Sequence, residues 1–378
     1  MDFDLDEDDQ LLRDTVRQLC EQSVRPHAGE WDEARAIPAA VRDELGRMGL
    51  WALRQPEDEG GAGLSTVTAC ALVEELAAAD GALAMLIAAH NFAGLAHVAA
   101  ASASQPALAG ELSAMASGQR PCAWALAEGA LGSGEGALAI TATRQGDAWA
   151  LDGEARHVLG AAVAGRFVVF ARAEDGPTAF LIDADAGGLH VSAPLRTHGA
   201  RAAGTAHLGL QGVRVPDERR LGAPGRALTD AATIVALREL SWAAVACGLL
   251  RGALQQASGY AQQREQFGRP IASFQAIQWK LADMATGLEA AWLLTVQAAW
   301  RCDQGRPLGE AAARARTWAT GAAVRGCSEA LQIHGGYGYT REYPVERALR
   351  DARQLEATAG GSATARSVLA DAIAERLG

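Results

Sequence analysis

Positive charge is in short supply in this chain. Its 378 residues carry 34 lysines and arginines against 45 aspartates and glutamates, a net charge of −11, and the pI is near 5.3. That balance argues against a general nucleic-acid binder, because neutralising phosphates takes a surplus of basic side chains. Cysteine is sparse too. The six residues Cys20, Cys70, Cys122, Cys247, Cys302 and Cys327 are scattered, with no C-x-x-C pair. A disulfide framework and a zinc knuckle are therefore not expected, and the thiols read as small core residues of a reducing cytoplasm. The eight histidines form no H-x-x-x-H or similar cluster, so no protein-built metal site is expected. The opening MDFDLDEDDQ is acidic, unlike a signal or transit peptide. No apolar run approaches the roughly 20 residues of a membrane span. The expectation is a cytoplasmic protein with neither a nucleic-acid nor a membrane partner.

What is present is length and a change of texture along it. A chain of this size implies two or three domains with ample core. In residues 1–120 Leu12, Val16 and Leu19 recur at helical spacing after an acidic first turn, which suits a helix N-terminus. PAAVRDELGRMGL reads as a second helix, with Pro38 at a first helical position and Gly49 near its stop. VTACALVEELAAAD and GALAMLIAAHNFAGLAHVAAA read as a buried helix pair. Across residues 121–227 the period shortens to two. ALAITATRQGDAWALDG is two alternating runs about Gln145-Gly146-Asp147, and GRFVVFARAEDGPTAFLIDA is two more about Asp175-Gly176-Pro177. With TAHLGLQGVRVP they predict a small antiparallel β-domain. Helical period returns over residues 228–378. There REQFGRPIASFQAIQ predicts the end of one helix, a bend at Gly268 and Pro270, and the start of another. Arg264 and Phe267 sit at that bend, one helical turn apart.

These stretches, taken in order, resemble the acyl-CoA dehydrogenase family across nearly the whole chain. The resemblance is carried by MDFDLDEDDQLLRDTVRQL, MGLWALRQPEDEGGAGLS, GDAWALDG, GVRVP, REQFGRPIASFQAIQWKLADM and QIHGGYGYTREYPVERALRDAR. It implies an α+β, mainly α fold: an N-terminal helical domain, a middle β-domain and a C-terminal four-helix bundle. It also implies FAD between the β-domain and the bundle, and a homotetramer built as a dimer of dimers. Arg264 and Phe267 would then reach the ADP half of a neighbouring subunit's FAD, Arg264 as a planar fork for pyrophosphate. Ile271 and Phe274 would line the same groove. Gln332, Gly335 and Gly336 match the loop where backbone meets the pyrophosphate.

The catalytic half of the family pattern is rewritten. The family reaction needs a carboxylate over the α-carbon of the thioester, usually just after RDA(R/K). Asp351-Ala352-Arg353 aligned at one end and Arg366 at the other put Ala359 there. Some members carry the glutamate on a bundle helix instead, ten residues before a glycine matching Gly248; here that position is Arg238, which would face the substrate. Glu239 follows it, about 100° further round a helix, and Glu356 lies three residues before Ala359. Either could be a relocated base; the alternative is that Glu239 pairs with a neighbouring arginine and Glu356 is solvated. Around the flavin ring the family's T-E-P is Ala127-Glu128-Gly129, and its W-(I/V)-(S/T) is His157-Val158-Leu159. Two hydroxyl donors are lost and an indole becomes an imidazole. Ser133 matches a family serine and reads as part of a loop at the substrate mouth.

Three functions stay open on this reading. The first is an FAD-dependent dehydrogenase of an acyl-CoA or acyl-carrier-protein thioester with an atypical base, handing electrons to an electron-transfer flavoprotein or to oxygen. Ala236 and Glu239 replace an acid and an arginine that help hold coenzyme A in the family, which favours a carrier protein or an unusual acyl group. The second is a flavin oxygenase on the same fold. The third is a catalytically degenerate subunit or scaffold beside a paralogous subunit.

Overall fold

A computed structural model of the chain describes residues 5–126, 138–358 and 361–377. Helix α1 (Glu7–Leu19) opens on Glu7, Asp8 and Asp9, and Asp6 caps it by accepting the Asp9 N–H at 2.8 Å. Negative charge there meets the positive end of the helix dipole. α2 (Ala28–Ala34) and α3 (Ala39–Arg47) follow, and α4 (Thr66–Ala79) and α5 (Gly81–Ala89) form an almost wholly buried pair. Asp80 ends α4 and caps α5, accepting the Leu83 N–H at 2.7 Å. A π-helical turn, His90–Leu95, leads into α6 (Ala96–Ser102), and α7 (Ala109–Ala116) completes the region.

The middle region is a sheet of β1 (Cys122–Ala125), β2 (Ile140–Gln145), β3 (Ala148–Val158), β4 (Arg166–Ala173), β5 (Gly176–Asp183), β6 (Leu189–Val191), β7 (Ala206–Pro216) and β8 (Arg220–Leu221). Its order is β6-β7-β3-β2-β4-β5-β8, with β1 also on β4. The first predicted hairpin turns at Gly146-Asp147, since Gln145 pairs with Ala148. The second turns at Glu174-Asp175, so Gly176 and Pro177 belong to β5 and not to the turn. The sheet is also mixed, not purely antiparallel as the sequence implied. β1 runs parallel to β4, Cys122 opposite Arg166 through Ala125 opposite Val169, and β2 meets β4 in parallel at Thr141 and Arg172. Strands joined by a tight turn must be antiparallel. β1 pairs with a strand that is not its neighbour in the chain, so no tight turn between the two sets its direction.

The C-terminal region is built on three long helices, α8 (Ala227–Gln263), α9 (Gln275–Asp303) and α10 (Gly309–His334). Two shorter helices, α11 (Pro344–Ala357) and α12 (Gly361–Leu377), both pack on α10 and share the fourth place. α8 also crosses α4 at very short range. A β-carbon on Gly248 would stand 2.2 Å from the Glu74 carbonyl oxygen, and one on Gly252 would stand 2.5 Å from that of Ala78. The expectation that no run reaches membrane-spanning length needs correction. Gly81–Ser102 and Ala227–Gln263 are apolar and long enough, and 94% and 89% of their most apolar windows are buried inside the protein. Their hydrophobicity serves the core shared by the helical regions.

The same crossing holds a buried ionic knot. Glu74 and Glu75 of α4 are almost fully buried. Arg13 bonds both, at 3.1 and 2.8 Å, Arg17 bonds Glu75 at 2.7 Å, and Arg251 of α8 bonds Glu75 at 2.6 Å while also reaching Glu74. Burial opposes ionisation of Glu75, yet the Arg17 hydrogen bond and the charges of Arg251 and Arg13 hold its carboxyl below the ordinary range. Removing one partner of a buried pair typically costs ~3–5 kcal/mol. Arg13 still faces Glu74 when Arg251 is gone, so Arg251→Met should lose about 3 kcal/mol, measured as a lower urea midpoint at unchanged slope.

Candidate active site

A cleft of about 670 Å³ opens where the sheet meets the helical regions. Its walls come from α5 and the turn after it (Ala89, Ala93), β1 (Trp124), β3 and its end (His157, Val158, Leu159), β4 (Phe170), α8 (Arg238, Trp242) and the end of α11 (Ala357, Thr358). The inner wall is aromatic. Trp124 meets Phe170 edge to face at 5.2 Å, and His97 meets Phe170 likewise at 5.4 Å.

Two buried histidines seat this wall, and the sequence reading had not singled them out. His90 Nδ1 accepts the Cys122 backbone N–H at 2.8 Å, and His97 Nδ1 accepts the Trp124 indole N–H at 3.1 Å. The signal lay in a largely apolar helical run with histidines seven residues apart, on one face, opposite strand residues two apart. Burial pushes both imidazoles down to about 4, so both are neutral acceptors at neutral pH. An unfolded histidine titrates near 6.5, so the unfolded chain binds more protons between pH 6.5 and about 4. Stability present at neutral pH is therefore lost as pH falls through that window. At pH 5 the loss is about 2 kcal/mol for each histidine, from ~1.4 kcal/mol per pH unit. Asp80 and Asp351 act in the opposite direction, because burial raises both carboxyls, Asp351 to about 7. The histidine contribution shows as a difference between two proteins. Between pH 7 and 5, His97→Gln should lose about 2 kcal/mol less unfolding free energy than wild type, measured by urea titration.

Arg238 is buried, lines the cleft, and places its guanidinium carbon 5.0 Å from the Trp124 ring centre. Its Nη2 makes a long contact to Glu239 Oε1 at 3.5 Å, and its Nε has no hydrogen-bond partner among the described residues. Glu239 is not among the cleft's lining residues. Its other oxygen faces Arg316 Nε at 3.4 Å, so it sits between two guanidiniums with its carboxylate turned to α10. The 100° step between neighbours on a helix accounts for the different surroundings of Arg238 and Glu239. Arg316 in turn donates to the carbonyls of Leu355 and Thr358, at 2.6 and 3.1 Å, and holds the end of α11. Glu356 is half-exposed, pairs with Arg353 at 2.9 Å and does not line the cleft. Among the described residues the one lining carboxylate is Glu154, which the sequence reading passed over. It is 61% exposed and tied to Arg156 at 3.0 Å. Ala127, Ser133 and Ala359 lie outside the described residues.

His157 stands at a register shift of β3 against β7 with φ +56°, the left-handed region. Its N–H donates to His207 Nδ1 at 3.1 Å, and the two rings meet edge to face at 5.0 Å. His157 is exposed at the cleft and Leu159 half-buried beside it.

A second, more open groove of about 510 Å³ gathers Arg264, Ile271, Gly335, Gly336 and Tyr337. The predicted bend there is a tight hairpin. Glu265–Gln266 pairs with Arg269–Pro270, and Phe267 and Gly268 make the turn at φ +55° and +75°. Arg264 and Phe267 therefore do not share a helix face; Arg264 ends α8 and Phe267 is held at the hairpin tip, 93% exposed. Phe274 meets Phe267 edge to face at 6.2 Å. The Arg264 guanidinium lies 5.7 Å from the Tyr337 ring centre and makes no ion pair among the described residues. Gln332 is exposed one turn before Gly335. Gly335 has φ +59°, which suits glycine, and a β-carbon at Gly335 or Gly336 would meet nothing within 4 Å. An unpaired guanidinium, open backbone and a flat ring together suit an anionic group carrying an aromatic one.

Comparison with known proteins agrees with this architecture. Residues 6–119, 123–213 and 231–374 match the models of the acyl-CoA dehydrogenase N-terminal, middle and C-terminal domains. A probable acyl-CoA dehydrogenase of Bacillus subtilis is 34% identical, over 98% of this chain and 99% of its own. The benzylmalonyl-CoA dehydrogenase of Aromatoleum aromaticum is 37% identical, over 93% and 94%. The structure of butyryl-CoA dehydrogenase from Megasphaera elsdenii superposes with a TM-score of 0.94 at 30% identity, covering 99% of this chain and 100% of that one. The chain belongs to the acyl-CoA dehydrogenase family of FAD-dependent oxidoreductases.

Proposed function

We propose that this chain oxidises the CH–CH bond of an acyl thioester, carried by coenzyme A or an acyl carrier protein, in a soluble cytoplasmic homotetramer. The observation that carries the reading is the Arg264 groove. Its unpaired guanidinium and the open backbone of Gly335 and Gly336 fit a pyrophosphate, and Phe267 offers a bare ring beside it. FAD, when bound, supplies the acceptor for the β-hydride. In the larger cleft Trp124, Phe170 and Trp242 exclude water from the acyl chain. Gln332, Ile271 and Phe274 extend the dinucleotide groove, and His157 and Leu159 border the cleft from β3. Exposed Phe267, Trp279 and Tyr339 favour a further subunit packing against this side. An electron-transfer flavoprotein or oxygen takes the electrons onward.

A second reading, a catalytically degenerate subunit, is favoured by one observation: neither Glu239 nor Glu356 lines the cleft. The absorbance spectrum of purified protein decides between them. Yellow protein bleached by an acyl thioester under anaerobic conditions supports the dehydrogenase. Yellow, unbleached protein whose reduced form consumes oxygen points to an oxygenase, and colourless, stable protein to a scaffold.

A further inference from the structure

The cleft's inner wall is apolar and aromatic, and among the described residues Arg238 is the buried cation that lines it. Arg238 is 6% exposed, and among the described residues nothing balances it well. Glu239 touches it at 3.5 Å, beyond a normal charge-assisted bond, and is shared with Arg316. The Trp124 face offers a cation–π contact at 5.0 Å, and Phe170 and Trp242 offer no acceptor. Arg238 Nε is buried with no hydrogen-bond partner among the described residues. A buried guanidinium left short of partners is costly; one that lines a cleft open to ligand can be completed by the ligand. The complementary group is planar, anionic and able to take two parallel N–H bonds, which describes a carboxylate. The indole and phenyl walls suit methylenes or a ring.

We propose that Arg238 makes this cleft selective for acyl thioesters whose acyl group bears a second carboxylate. Building on the thioester reading above, this assigns the substrate class. Glu239 is a positioning residue here. It holds one edge of the guanidinium, through Nη2.

The test is calorimetric titration of the FAD-loaded protein with monothioesters of C5–C8 dicarboxylic acids, their monocarboxylic counterparts and the ω-methyl esters. A charge-assisted pair predicts that the best dicarboxylic thioester binds about ten- to a hundredfold tighter than its monocarboxylic match and its methyl ester. Arg238→Gln should abolish that preference, bringing the two affinities to within about threefold of each other, and Arg238→Lys should restore part of it. Equal affinity for the acid and its methyl ester in wild type overturns the proposal without recourse to any variant. So does an Arg238→Gln protein that weakens both classes alike or loses FAD, since the arginine then serves the fold or the cofactor. If FAD binds but no thioester of either class does, the thioester reading itself fails, and this assignment falls with it.

Discussion

Ala359→Glu should raise turnover of simple acyl-CoA substrates by about 10²–10⁴-fold, the usual contribution of a positioned general base. Removing an α-proton requires an acceptor in reach, and a methyl group is none. Ala357 and Thr358, the two residues before Ala359, line the cleft. The Arg316 bonds to the Leu355 and Thr358 carbonyls fix the chain leading to it. Among the described residues the candidate carboxylates are engaged elsewhere: Glu239 by Arg238 and Arg316, Glu356 by Arg353, Glu154 by Arg156 at the solvent edge. The measurement is steady-state turnover normalised to bound FAD. A wild type as fast as the variant would mean that the base is already present. Glu154→Gln, Glu239→Gln and Glu356→Gln then identify it by which one abolishes activity.

Arg264→Ala should weaken FAD binding by roughly tenfold to more than a hundredfold, because a charge-assisted bond to pyrophosphate is worth ~1.5–3 kcal/mol. Stability without FAD should hardly change. Arg264 makes no ion pair among the described residues, and its main-chain bond, N–H to the Tyr260 carbonyl at 2.8 Å, survives the substitution. Fluorescence titration of apoprotein gives the affinity, and thermal unfolding of the same sample gives the control. An unchanged dissociation constant would make the motif structural only. A fall in apoprotein stability would show that the arginine supports the fold.

What could be read from residues alone was whatever repeats or caps locally. The 3.6-residue period marked the helices, and the two-residue period with Gly146-Asp147 marked the β2–β3 hairpin, because burial on one face imposes its spacing on any sequence that folds so. The colinear motifs carried the family. Short or non-local features were beyond that reach. The Glu265–Gln266 and Arg269–Pro270 strands are two residues each, too short to show a period, so a hairpin looked like a bend. The parallel β1–β4 pairing joins residues some 44 positions apart, Cys122 with Arg166, and no turn residue encodes its direction. Burial partners were equally hidden. Nothing in the letters Arg238-Glu239 says that one side chain enters a cleft while the other meets Arg316 of α10, nor that His90 and His97 stay neutral to hold β1. Those facts depend on which helix faces which strand. Tertiary packing sets that, and with it the desolvation and charge around each titratable group.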